Sequence, residues 1–97
     1  MSNPQHQLYN VKRLTASAAV KGAAGRVIAV NVFGGSGATS IKFTDDADGS
    51  GTPLLDVNTV IADTRFVDLS EIGGVAFGTA IYATLAGTGG IAEVFYD

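Results

Sequence analysis

The feature that most constrains this chain is the run Gly25 to Phe33, GRVIAVNVF. Strand side chains alternate between two faces, so Ile28, Val30 and Val32 share one side and Val27, Ala29, Asn31 and Phe33 the other. Both sides are apolar, which is the pattern of a central strand covered on both faces or packed in an interface. No stretch elsewhere carries a helical apolar stripe with caps. The chain is a series of short β-branched and aromatic runs broken by glycine, aspartate and serine, at the spacing of an all-β fold. Short turns between consecutive runs favour antiparallel pairing, because parallel strands need long crossovers.

The expectation is a small antiparallel β-sandwich of about seven short strands in one domain, residues 15–97. Strands are predicted near Ser17–Lys21, Gly25–Phe33, Thr39–Thr44, Leu54–Ala62, Thr64–Leu69, Gly78–Ala86 and Ile91–Tyr96. Ile41 and Phe43 should point inward, with Lys42 and Thr44 outward. Ala92, Val94 and Tyr96 should be core, with Glu93 outward. The phenylalanines Phe33, Phe43, Phe66, Phe77 and Phe95 are all expected in the core. Residues 1–14, in which Pro4 and polar side chains give way to Leu8, Tyr9 and Val11, read as an extended arm outside the sandwich.

Composition removes several kinds of chemistry. The 97 residues include no cysteine, so there is no disulfide, thiolate metal site or cysteine nucleophile. One histidine, His6, cannot build a site that needs two imidazoles, and no acid precedes Asp45. No serine sits in a nucleophile elbow; Gly34-Gly35-Ser36-Gly37 has the wrong spacing and reads as a strand-to-strand turn. The chain is therefore expected not to be an enzyme and to need no cofactor. No apolar run approaches the ~20 residues that span a bilayer, and the first residues lack a secretory pattern, so no membrane is expected.

Charge is unevenly distributed. Lys12, Arg13, Lys21, Arg26 and Lys42 precede residue 45 with no acid among them; from Asp45 onward nine acids meet one base, Arg65. Strand interleaving could mix the two signs on one surface, or the subunit could be dipolar and dock base to acid on a neighbour. Five bases without interleaved aromatics are too few to indicate a nucleic-acid partner.

Asp45, Asp46 and Asp48 form the one acidic cluster and are the candidate calcium ligands. The EF-hand spacing fails, since aligning Gly49 with the loop glycine puts Leu55 where a bidentate glutamate belongs. Asp48-Gly49 also reads as a plain turn pair. Tyr9, Tyr82 and Tyr96 would stack on sugars if they formed one exposed platform.

Four stretches carry a resemblance to a known group of proteins: Ala19 to Val32 (AVKGAAGRVIAVNV), Asp45 to Leu54 (DDADGSGTPL), Gly74 to Thr88 (GVAFGTAIYATLAGT) and Val94 to Asp97 (VFYD). They resemble small β-sandwich structural proteins of tailed-bacteriophage virions, of the capsid decoration or cement type. The resemblance implies a structural role in the virion, synthesis in the host cytoplasm, and contact with the major capsid protein or other virion proteins. It brings no catalytic residue. A homo-oligomer, with a trimer favoured, is expected from closed symmetry. The candidate partner-binding segment is Gln7, Leu8, Tyr9, Asn10, Val11, Lys12 and Arg13, which could add a strand to a neighbour's sheet. Removing residues 1–14 is then expected to abolish capsid binding and leave the fold intact. The alternatives are a neck, tail or fibre component, and a glycan or host-surface binding module.

Overall fold

The computed structural model describes residues 9–60 and 63–97. They form two antiparallel sheets packed face to face. The strands are β1 (Asn10–Leu14), β2 (Ala18–Lys21), β3 (Gly25–Phe33), β4 (Thr39–Thr44), β5 (Pro53–Thr59), β6 (Thr64–Asp68), β7 (Val75–Phe77), β8 (Ile81–Ala86) and β9 (Ile91–Tyr96). One sheet runs β1-β9-β3-β6, with β7 also paired to β3; the other runs β2-β8-β4-β5. The strand GRVIAVNVF is central in its sheet, pairing with β9 on one side and with β6 and β7 on the other.

The register skips Ile28 between Val27 and Ala29 against β9, so the ladder carries a bulge there. Val27, Val30 and Val32 then line the core, while Ile28 is buried outside the core cluster, beneath Gly74. Gly74 adopts φ +86°, and a Cβ there would lie 2.8 Å from Ile28 Cδ1. Glycine alone suits both demands. The core between the sheets is built from Val27, Val30, Val32 and Val94 on one side and Ile41, Phe43, Val57 and Ile81 on the other, with Phe77 and Leu14 joining it.

The bulge overturns the expected face of Ile28, whose place beside Val30 and Val32 is taken by Val27, and three further expectations change. First, residues 10–14 are not an arm. Asn10 pairs with Tyr96 and Leu14 with Ala92, and Leu14 is only 3% exposed. An apolar residue at the end of an exposed segment gains more by entering the core than by waiting for a partner, so β1 belongs to the sandwich; the rest of the expected arm, residues 1–8, lies outside the described residues. With β7 this makes nine strands among the described residues. Second, Phe43 and Phe77 are core, whereas Phe33 and Phe95 are half-buried and Phe66 is exposed, outside the core cluster. In β6 the partly buried Val67 packs against the core, so its neighbour Phe66 must face out. Third, Thr44 is buried rather than outward, because the following turn folds over it and its Oγ1 donates to Asp46 Oδ1 at 2.9 Å.

Candidate functional site

The acidic turn is wired to backbone amides. Asp45 accepts from the N–H groups of Gly78 (3.0 Å), Thr79 (2.7 Å) and Ala80 (3.2 Å). The bond from Thr79, then those from Gly78 and Ala80, hold its carboxyl below the usual carboxylate range. Asp46 accepts from the amides of Gly49 and Gly51, each at 2.6 Å, as well as from Thr44. Desolvation is the largest single influence on Asp46 and pushes its carboxyl up, but these bonds together outweigh it and the net direction is down. Asp48 accepts from the Ser50 amide at 3.0 Å.

A cation needs carboxylate oxygens facing a common point. Here the oxygens of Asp45 and Asp46 face N–H donors in different directions, and Asp48 closes its own turn. Among the described residues no three acidic or histidine side chains converge on a metal position. The arrangement clasps the β4–β5 turn to the start of β8. Gly49 completes it with φ +80°, where a Cβ would lie 2.7 Å from Tyr82 Cδ1.

The candidate partner segment divides. Gln7 and Leu8 lie outside the described residues. Asn10, Val11, Lys12 and Arg13 form β1, whose inner edge is taken by β9. Among the described residues its outer edge has no strand neighbour. Residues Asn10 to Arg13 are thus already paired on one side and are not a free strand. They form an edge to which a neighbour's strand could be added.

The outer face of the β1-β9-β3-β6 sheet mixes apolar side chains with polar ones. Phe66 and Phe95 meet edge to face, with ring centroids 6.4 Å apart at 86°. Val11 is 46% exposed and Phe66 57%; they sit on the two opposite edge strands of this one sheet. Between them Asn31 is paired with Phe66 on one side and Glu93 on the other, and its Oδ1 is buried without a hydrogen-bond partner. The other sheet turns Ser40, Lys42, Asp56 and Asn58 outward. The three tyrosines do not form one platform. Tyr96 packs against the core, and Tyr82 lies beneath Gly49 on the second sheet.

The strand order also separates the charges. β1 and β2 are the edges of the two sheets on one side of the sandwich, and they carry Lys12, Arg13 and Lys21 with no acid. β5 and β6 are the edges on the other side. With the turns that flank β6 they carry Asp56, Asp63, Asp68 and Glu71 against Arg65. The edges are therefore of opposite sign, about three charges each way. Between β5 and β6 the sandwich opens as a groove of about 190 Å³, floored by Leu55, Val57 and Val67 and rimmed by Asp56, Asn58 and Arg65. A wider groove of about 590 Å³ continues past Arg65 to Ser40 and Ala86.

In the sequence, the apolar edge residues were concealed by the assumption that phenylalanine is core. The signal was present in the alternation of Val67 with Phe66. No family model, no curated protein and no solved structure matches the chain. What the structure shows is the architecture alone, a small two-sheet antiparallel sandwich.

Proposed function

We propose that this chain is a non-enzymatic structural subunit of a tailed-bacteriophage virion, a capsid decoration or cement protein that stabilises the head by lateral contacts. It is made in the host cytoplasm and acts as a homo-oligomer, with a trimer the favoured ring, against the major capsid protein. The observation that carries this reading is the surface: among the described residues, open strand edges on both sides of the sandwich, with exposed Val11 and Phe66 on the outer face of one sheet. Edges of this kind are contact surfaces. The acidic cluster, the most conspicuous candidate for chemistry, is committed to backbone amides.

The experiment is quantitative mass spectrometry of purified virions from the phage that encodes the chain. Copies on the order of hundreds per particle, as a symmetric shell demands, support decoration. About a dozen copies would move the subunit to the neck, tail or fibre. Absence from the particle would overturn the virion role.

A further inference from the structure

We propose that the docking partner of the β1 edge is the β6 edge of a second copy, so that the β1-β9-β3-β6 sheet continues head to tail from one subunit to the next. The inference rests on edge direction, face and charge, and not on the virion reading, so either can fail alone.

Direction comes first. Each neighbouring pair in the sheet is antiparallel, so β1 runs with β3 and β6 runs against both. A second copy in the same orientation brings its β1 beside β6 antiparallel, which is the pairing the rest of the sheet uses. The other sheet has the same property, with β2 antiparallel to β5 by the same count. Association of this sort is heterologous: two different surfaces meet, and the contact repeats into a ring or a filament.

Charge comes second. The β1–β2 side presents Lys12, Arg13 and Lys21, and the β5–β6 side presents Asp56, Asp63 and Asp68 with one opposing base. Like sides repel and unlike sides attract, which disfavours a two-fold pairing of β1 with β1 and favours β1 with β6.

Face and register come third. On β1, Val11 and Arg13 lie on the outer face and Leu14 on the core face; on β6, Phe66 and Asp68 are outer and Val67 inner. A continuing sheet must match outer to outer. Pairing Arg13 with Phe66 does so, and sets Val11 opposite Asp68 and Lys12 opposite Val67. Arg13 is then diagonal to Asp68 and stacks over Phe66, while Val11 is diagonal to Phe66. The alternative register that sets Val11 opposite Phe66 brings Lys12 opposite Arg65, a like-charge pair. The two exposed apolar residues of the outer face are thus covered by the same contact that pairs the charges.

The absence of cysteine makes a direct test possible. Single variants Arg13→Cys and Phe66→Cys are made in the full chain, checked for wild-type melting, and oxidised separately and as an equimolar mixture. A seated interface holds the two thiols at an effective concentration in the millimolar range, so the mixture should cross-link at least about tenfold faster than either variant alone. Adding Val11→Asp to the Arg13→Cys partner sets an acid directly opposite Asp68 and should remove the advantage. Equal rates in all three samples would overturn the proposal. Fast homodimerisation of either single variant would overturn it too, because it would mean an isologous interface.

Discussion

Asp45 Oδ1 accepts the Thr79 amide at 2.7 Å, although the residues are 34 positions apart. That bond ties the turn after β4 to the turn before β8, and it explains the acidic cluster better than any ligand does. Three amide donors around one carboxylate form an anion site that the chain fills itself.

Acid should unfold the protein through this clasp. The carboxyls of Asp45, Asp46, Asp68 and Asp97 are all held below their ordinary values in the fold, Asp68 by Ser70 and Asp97 by Arg26. A depressed folded value means stability that is whole above the unfolded value of about 3.9 and is lost as pH falls through the folded values. Thermal melts should be flat from pH 7 to about 5 and fall below about 4. Asp45→Asn should melt lower at pH 7 and show a shallower fall in acid. An unchanged acid slope would argue against Asp45 as a main contributor.

Calcium should have no effect on melting. The cluster's oxygens already accept N–H bonds, and binding a cation would require breaking them. A rise in melting temperature with millimolar calcium that Asp46→Asn abolishes would show that the loop rearranges into a site.

Deleting residues 1–14 should destabilise the fold, not merely remove a contact arm. The deletion takes β1 from β9 and removes Leu14 from the core. Leu14→Ala alone should cost about 2–5 kcal/mol in denaturant unfolding, as buried leucine truncations do. A loss within ~0.5 kcal/mol would mean that Leu14 is not packed as described.

Phenylalanines in the two environments should behave differently. Phe43→Ala, at a fully buried position, should cost roughly 3–5 kcal/mol. Phe66→Ser should cost at most about 1.5 kcal/mol, chiefly the edge-to-face contact with Phe95. Equal costs for the two would contradict the assignment of Phe66 to the outer face.

Gly49→Ala should destabilise by more than about 1 kcal/mol, since the new methyl group meets both a left-handed backbone and the Tyr82 ring. Gly22→Ala, with open space around it, is the control and should be nearly neutral. Urea unfolding of both variants measures the difference.

Strand content was readable from local pattern because side-chain period and turn residues act over a few positions. Gly25–Phe33 forms a strand with the predicted bounds, although the bulge puts Val27 and not Ile28 on the core face with Val30 and Val32, and Ala92, Val94 and Tyr96 face the core as their spacing requires. The short β7 escaped notice because three residues, Val75 to Phe77, are too few to show a period. The candidate site was less legible. Sequence spacing placed Asp45, Asp46 and Asp48 together, but whether they meet a cation or amides depends on Gly78 to Ala80 arriving from a distant turn.

The charge asymmetry marks the same division. The residue order determined that bases come early and acids late, and that alternating runs would become strands. Only the tertiary structure decided that β1 pairs with β9, that β1 and β2 share one side of the sandwich, and that β5 and β6 share the other. Those pairings are long-range choices made by core burial. Burying Leu14, Val57 and Val94 in a common interior selects the strand order, and the strand order in turn carries the charges to opposite edges.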